Sequence, residues 1–371
     1  MASKLEPFVF NITPSEALTE TLDATLLFPA TAISTVISPV DRFIENSNKL
    51  SVIYANSPFR EAFTPELGAV LLLGHVSAVE SYLRGVVRGL VHIDEHTEFL
   101  SSPKELTYFA ASHHARELLP EALLESISFS NAATVSFTLK DFCGISGMGN
   151  GNFPKDLKSV FDKYSDICQL RHCCVHRFGL LGASNAHKLG LPKGSPQIEK
   201  PLSLTIDALE DISAILQKFV LSLNAYIYKD VLERTFSRSS LNTPDASEHQ
   251  YDAQWALDFA QDEARFSRYY SLFAVTAVNP PSPTQRASYD AFLLWMQDTL
   301  AERARVMQRA AQQRAQQRAT TAQSAGARAA PNAAPAPAPA PAPAPRSSPI
   351  PSQALPKTRL LAKLRAFLSL G

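Results

Sequence analysis

Residues 170–179, LRHCCVHRFG, hold two arginines, two histidines and two cysteines, which are side chains that ligate metals, exchange disulfides or transfer protons. His172 and His176 match the H-x3-H half of a zinc finger, but no C-x2-C pair stands upstream to complete a four-ligand set. The adjacent Cys173 and Cys174 diverge on a helix, so they do not make a redox pair. We therefore expect no metal, no cofactor and reduced thiols at this segment.

A second metal-like pattern, residues 92–96 (HIDEH), has the H-x-x-E-H order of inverted zinc peptidases. In those enzymes both histidines lie one turn apart on a helix, with the glutamate as general base and a third ligand downstream. Here His92, Glu95 and His96 stand where a long helix ends, and the Ser-Ser-Pro sequence at residues 101–103 interrupts the chain before any ligand-bearing helix. A solvated polar helix end is the expected structure.

The chemistry that remains for residues 170–179 is acid–base catalysis on a phosphate. Arg171 and His176 are five residues apart, about 500° round a helix, so their Cα–Cβ vectors diverge by about 140°, whereas His172 and His176 share one stripe. One copy of this helix therefore does not surround a phosphate. Two copies facing across a twofold axis would bring two arginines and two histidines around it, which supplies fixed positive charge and an imidazole that titrates near neutral pH.

The residues that follow bear on the protonation of His176. Gly179 and Gly182 predict that the helix ends just after Arg177. A helix C-terminus favours a protonated imidazole by about 0.3–1 kcal/mol, so we expect His176 to act as an acid as well as a base. Lys188 adds a further positive charge close in sequence.

The segment Arg171-His-Cys-Cys-Val-His176 resembles the R-x4–6-H motif of the HEPN family of helical RNases and nucleotide-binding domains. As in that family, a polar residue follows the arginine and an apolar residue precedes the histidine. The order of helices is similar too, because a long helix with a central Glu80 precedes the motif and a loop and a final long helix follow it. The resemblance covers about residues 64–235. His172 departs from the pattern, since asparagine or aspartate is commoner there.

This resemblance implies metal-independent endoribonuclease activity at a dimer interface, in which the RNA 2′-hydroxyl attacks the adjacent phosphate and leaves a cyclic phosphate. Arg171 would bind the phosphate and His176 would be the general acid and base, with His172, Arg177 and Glu80 in support. RNA and a second copy of the chain are the implied partners. Two alternatives stay open: a non-catalytic HEPN-like nucleotide- or RNA-binding or dimerisation module, and an unrelated helical protein.

The sequence patterns on either side of the motif, together with the resemblance, predict a mainly α fold: a HEPN-like helical bundle with a small irregular/β N-terminal region and a disordered C-terminal tail. Thr64 as N-cap and Pro65 at the first helical position begin the clearest helix, residues 66–90, which we expect to pack with residues 154–177 and 207–235. Residues 8–12 and 50–54 are predicted strands because β-branched and aromatic side chains dominate them. The predicted divisions of the chain are an N-terminal extension (1–60), the helical domain (61–236), C-terminal helices (251–316), an Ala/Pro-rich linker (317–356) and a basic amphipathic helix (357–371).

Charge is unevenly distributed along a chain whose formal net charge is zero. Residues 301–371 carry 11 Lys and Arg against one acidic residue, while the first 300 residues hold 24 basic and 34 acidic residues. A basic helix at the end of an Ala-Pro spacer suits a protein partner or an anionic surface, and a dispensable solubilising tail is the alternative. Without a signal-like start or an apolar run near the ~20 residues of a membrane span, we expect a cytoplasmic protein.

Overall fold

The computed structural model describes residues 21–28, 37–113, 115, 118–149, 151–240, 255–276, 281 and 283–327. Within these ranges the protein is mainly helical, as predicted, and its β structure is limited to two isolated bridges. The helices are α1 (Pro39–Ala55), α2 (Ser57–Glu61), α3 (Pro65–Ile93), α4 (Glu95–Ser101), α5 (Tyr108–His113), α6 (Leu119–Leu124), α7 (Ala132–Cys143), α8 (Lys158–Arg177), α9 (Ala183–Lys188), α10 (Ile206–Ser240), α11 (Phe259–Phe273) and α12 (Gln285–Ala327).

The long helix α3 is the centre of the bundle. Thr64 Oγ1 accepts a hydrogen bond from the Leu67 N–H and Pro65 occupies the first helical position, so the helix begins where the capping signal predicts. Its apolar residues recur at helical spacing and are buried, and α1, α8, α10 and α11 all pack on it. These contacts make α3 the element on which the other helices are arranged.

By length and composition alone, α3 would also cross a membrane, which corrects the expectation that no apolar segment reaches that length. However, 56% of its most apolar window is buried inside the protein, and the core helix of a bundle passes the same test. The apolar character of α3 is therefore accounted for by the helices that pack around it.

The three helices expected to form the bundle do pack together. Both α8 and α10 contact α3 and each other, and the rings of Tyr164 on α8 and Phe219 on α10 are stacked with centroids 4.2 Å apart. Between α3 and α10, the Tyr82 hydroxyl donates to Asn224 Oδ1 at 3.3 Å. This packing fixes the direction of α8, whose last turn carries the candidate site residues.

The prediction of a strand at residues 50–54 is wrong, because these residues are helical and belong to α1. The helix begins with Ser38 as N-cap and Pro39 at the first helical position, and Tyr54 is buried beside α3. Strand propensity is weak and depends on context, so the start signal and the burial of one helical face outweigh it. The other predicted strand, residues 8–12, lies outside the described residues.

The first helix is tied to a segment more than 230 residues later in the chain. Ser38 Oγ donates to the Ala274 carbonyl at 2.7 Å, and the Thr276 N–H donates to the two carboxylate oxygens of Asp41 at 2.9 and 3.0 Å. In the same region α11 packs on α1, α3 and α10. The described residues up to Arg303 thus form one compact unit, to which parts of the predicted N-terminal extension and C-terminal helices both contribute.

The final helix, α12, continues to Ala327, beyond the predicted boundary at residue 316. Alanine, glutamine and arginine dominate its last turns and have high helix propensities even without an apolar stripe. The last buried apolar side chain among the described residues is Met296. The Ala-Pro repeat and the predicted basic helix fall within residues 328–371, outside the described part of the chain.

Candidate functional site

The last turns of α8 present the predicted site residues at the protein surface. Arg171 and His172 are half-buried and His176 is exposed, so a ligand can reach all three. Within the part of the chain that the structure describes, none of these three side chains has a hydrogen bond or an ion pair. The cluster is therefore a set of cationic and titratable groups that form no ion pair among the described residues.

The end of α8 is formed by residues that follow the cluster. The helix ends at Arg177, as the glycines predict, and the Gly179 N–H closes it by donating to the Cys173 carbonyl at 3.0 Å. The first residue with left-handed backbone is Phe178 (φ 50°), although glycine is usual at this position. The residue pattern at the end of α8 does not predict a left-handed phenylalanine.

His172 and His176 form a stacked pair, with ring centroids 5.6 Å apart and planes inclined by 18°. Their i, i+4 spacing places both on one stripe of α8, as predicted. Burial lowers the pKa of His172, and the charges of Arg171, His176 and Lys188 lower it further. His172 is therefore a neutral hydrogen-bonding group near pH 7.

Glu80 lies on α3 in the region where α8 packs against it. Burial raises the pKa of the Cys168 thiol to about 12, with Glu80 raising it and Arg171 lowering it, so both side chains lie near Cys168. Both also act on the pKa of buried Tyr164, which burial raises most. The structure thus brings Glu80 into the neighbourhood of Arg171, and no ion pair joins the two among the described residues.

Arg177 differs from Arg171 because it is already paired. Its Nη2 donates to both carboxylate oxygens of Glu199 at 2.7 and 2.8 Å, across a loop that returns beside the end of α8. Gly182 permits this position, since a Cβ there would lie 2.8 Å from Arg177 Nη1. Arg177 therefore supports the shape of the site, and its ion pair with Glu199 offsets its positive charge there.

The cysteines near the site are ordinary thiols. All four cysteines of the chain are free, Cys143, Cys168 and Cys173 being buried and Cys174 half-buried. Burial raises the pKa of the Cys174 thiol, which opposes formation of a reactive thiolate. Among the described residues, no group of three or more His, Cys, Asp or Glu lies together in a way that would hold a metal.

The HIDEH segment has a structural role that its motif does not indicate. α3 ends at Ile93 and α4 begins at Glu95, so the two histidines lie on different helices. Between them Asp94 caps α4 by accepting the Thr97 N–H at 2.8 Å and forms a buried ion pair with Arg234 of α10. Arg234 also donates to the Cys143 carbonyl. The segment is therefore a junction between two helices with a buried carboxylate at its centre, and the expectation of a solvated helix end is wrong at Asp94.

An apolar groove of about 560 Å³ lies beside the end of α8. Its lining comes from the start of α3, the end of α8 and residues 201–203. Phe178 forms part of this lining and is 89% exposed. Sequence reasoning missed the groove because its parts are distant in sequence, and the one available signal was an aromatic residue directly after a basic helix end.

Comparison of the chain with protein-family models, with curated proteins and with solved structures gave no match.

Proposed function

We propose that this protein is a metal-independent endoribonuclease that acts on RNA as a homodimer, with Arg171 binding the scissile phosphate and His176 as general acid and base. The observation that carries the proposal is the surface cluster at the end of α8, in which Arg171, His172 and His176 have no hydrogen bond or ion pair among the described residues. By contrast, Arg84 and Arg234 are held by carbonyls and carboxylates. An arginine left without such partners is available to a ligand's anion.

The chemistry requires only side chains of the cluster. His176 removes the proton from an RNA 2′-hydroxyl, whose oxygen attacks the adjacent phosphorus, and the bond from phosphorus to the 5′-oxygen breaks. The leaving 5′-oxygen takes a proton from an imidazolium, and the products are a 2′,3′-cyclic phosphate and a 5′-hydroxyl. Arg171 stabilises the negative charge on the non-bridging oxygens, while neutral His172 accepts or donates a hydrogen bond.

The dimer is proposed because one protomer presents the two groups in different directions. Arg171 and His176 diverge by about 140° around α8, so one phosphate does not meet both from a single helix. Val175 lies between them and is 46% exposed, as suits a surface that another copy covers. Across a twofold axis, the arginine of one protomer and the histidine of the other would face the same phosphate.

Charge is the main obstacle to this function. The first 300 residues carry ten more acidic than basic residues, and phosphate contacts dominate RNA affinity. The cluster offsets this locally, because Lys188 on α9 lies close enough to His172 to lower the pKa of that imidazole. We expect weak, salt-sensitive binding confined to this surface. With four free thiols, the protein suits the reducing cytoplasm.

A second function, a non-catalytic nucleotide- or RNA-binding or dimerisation module, is favoured by one observation. Because Arg177 forms an ion pair with Glu199, Arg171 is the one arginine at the end of α8 that has no ion pair among the described residues of a protomer. A single arginine per protomer binds a phosphate, but it gives less stabilisation to a transition state than two would. The two functions differ in whether RNA is cut.

The test is an RNA cleavage assay with the full chain in excess EDTA, with single-stranded and hairpin RNAs. We expect products that end in a 2′,3′-cyclic phosphate, identified by mass spectrometry. Arg171→Ala and His176→Ala should each reduce the rate at least about 100-fold, since one positioned acid–base group contributes about 10²–10⁴-fold. Molar mass from light scattering establishes whether the active species is a dimer.

Matched controls remove the same residue types elsewhere. Arg60→Ala on α2 and His113→Ala on α5 delete an exposed arginine and an exposed histidine, and both should cleave at the wild-type rate. Unchanged cleavage by Arg171→Ala or His176→Ala would contradict the catalytic role proposed for that residue and favour the non-catalytic module. No cleavage of any RNA by a wild-type dimer that binds RNA would favour the non-catalytic module.

A further inference from the structure

The position of Phe178 is unfavourable in two independent ways. Its backbone is left-handed (φ 50°), which is costly for any residue with a Cβ and most costly for a bulky one. Its side chain is 89% exposed, so burial of the ring in its own protomer does not compensate. Neither the local backbone nor the core accounts for a phenyl ring here, and a ring held out in this way is available to bind.

The groove beside Phe178 has the size and surface to receive a flat apolar group. It encloses about 560 Å³, and its walls include Val70 and Leu73 of α3 and Leu202 of the returning loop. Val70 is 64% exposed, so this wall is open to an incoming ligand. An aromatic ring at the mouth of an apolar groove is the arrangement on which an unpaired base stacks.

Positive charge borders the same groove. Arg177 lines it directly, and Cys174, another lining residue, is one helical turn from Arg171, which places their Cβ atoms about 5–6 Å apart. Arg171 has no ion pair among the described residues. The one acid in the lining is Glu66, at the exposed start of α3. An apolar groove with an arginine that has no ion pair one helical turn from its lining is complementary to a nucleotide, whose base is apolar on its faces and whose phosphate is an anion.

We propose that Phe178 and this groove form a nucleobase subsite, which takes an unpaired base next to the phosphate held by Arg171. This proposal rests on the proposed function, which identifies the anion at Arg171 as an RNA phosphate. The subsite selects single-stranded or looped RNA, because a base inside a duplex is stacked on both faces and cannot enter the groove. It also gives the cluster a directional contact that its charges alone do not supply.

The test measures binding separately from cleavage. The probe is a fluorescein-labelled ten-nucleotide 2′-O-methyl RNA, which lacks the attacking hydroxyl and is not cut, and binding is followed by anisotropy in EDTA. Phe178→Ala should weaken binding about tenfold or more, and Phe178→Trp should restore it, because stacking needs a ring and tolerates its identity. The same sequence as a duplex should bind the wild type weakly. Tyr108→Ala, which removes an equally exposed ring from α5, should bind as the wild type does.

Phe178→Gly separates binding from a structural role. Glycine adopts the left-handed backbone without strain, so this variant should unfold at a higher urea concentration than the wild type while binding the single strand about tenfold more weakly. A structural phenylalanine would lose stability and binding together. A 2-aminopurine placed in the probe should lose fluorescence on binding the wild type and lose less on binding Phe178→Ala.

The subsite would be overturned if Phe178→Ala and wild type bound the single strand with equal affinity, or if wild type did not bind it. It would also be overturned if Phe178→Ala lost the dimer while the protein that remained dimeric at high concentration bound the single strand as tightly as wild type. The last would assign the ring to contact between two copies of the chain. Binding that depends on Phe178 without cleavage of any RNA would keep the subsite and reject the endoribonuclease. Cleavage and binding unaffected by Phe178→Ala would do the reverse.

Discussion

The imidazole rings of His172 and His176 lie nearly parallel one turn apart on α8, with centroids 5.6 Å apart and planes inclined by 18°. Two stacked imidazoles do not carry two protons easily, because the cations would repel each other at this distance. His172 is the half-buried member, next to Arg171 and Lys188, and His176 is exposed. Burial and the neighbouring charges therefore favour the neutral form of the inner ring, His172, whose pKa they lower.

This environment predicts the titration of His172. Its pKa should lie below the usual range for histidine, chiefly because burial disfavours the imidazolium and secondly because of Arg171. An NMR titration of the histidine Cε1–H signals measures this directly. Lys188→Ala and Arg171→Ala should each raise the pKa of His172 without restoring the usual value. A His172 signal that titrates at or above the usual range in the wild type would contradict the geometry.

Removal of the buried ion pair at the junction of α3 and α4 should be costly. The side chains of Asp94 and Arg234 are 3% and 11% exposed. Arg234→Met leaves the Asp94 carboxylate buried without its cation and should lower the free energy of unfolding by about 3–5 kcal/mol. Urea denaturation measures the change. On the same helix, Lys229→Ala removes an exposed pair with Glu233 and should change it by less than about 1 kcal/mol.

Much of the fold could be predicted from the sequence, because capping signals and long amphipathic faces are local. Thr64 and Pro65 begin α3 and Asn131 caps α7, as their residue types predict. The strand predicted at residues 50–54 failed because composition was given more weight than the Ser-Pro start signal twelve residues earlier at Ser38. Local propensity does not reveal which face a distant helix will cover.

Only the features of the candidate site that lie within α8 could be predicted from the sequence. The i, i+4 spacing of His172 and His176 and the end of α8 at Arg177 follow from the sequence. The pairing of Arg177 with Glu199 does not, because the chain between them returns through a loop. For the same reason the groove at Phe178, whose walls come from segments more than a hundred residues apart, had no local signal.

A buried histidine of α3 should make stability depend on pH. His75 is 1% exposed and its Nε2 has no hydrogen-bond partner, and burial lowers its pKa to about 4 from 6.5. Between these two pH values the His75 imidazole is protonated in the unfolded chain and neutral in the folded chain. The free energy of unfolding therefore keeps its whole value above about pH 6.5 and falls as the pH drops towards 4. The loss due to His75 should be about 2 kcal/mol at pH 5.

Urea denaturation at pH 7 and pH 5 compares wild type with His75→Leu. The leucine variant should lose this part of the acid dependence while remaining folded at pH 7, because it removes an unsatisfied buried nitrogen. His113→Leu, at an exposed position on α5, should keep the wild-type dependence. An equal fall in stability for wild type and His75→Leu would show that other groups cause it.

Deletion of residues 317–371 should leave the fold and the oligomeric state of the protein unchanged. The buried apolar residues that the structure describes all lie at or before Met296, and residues 311–320 are exposed. The midpoint of urea denaturation and the molar mass per particle should match those of the full chain. The deletion should weaken association with a protein or anionic-surface partner that co-purifies with the full chain. Aggregation of the shortened protein would show that these residues complete the core.

The bonds from Ser38 to Ala274 and from Asp41 to Thr276 also constrain the order in which the chain acquires its structure during synthesis. When the ribosome has produced the residues of α8, both partners of α1 in these bonds are still untranslated. Loops this long close slowly, since contacts distant in sequence cost more chain entropy before they form. Helix α8 also emerges before α10, one of the helices that hold it in the folded protein. The bonds of α1 to the far segment form only after Thr276 has been made, so α1 is the first helix to emerge and among the last to be fixed in place.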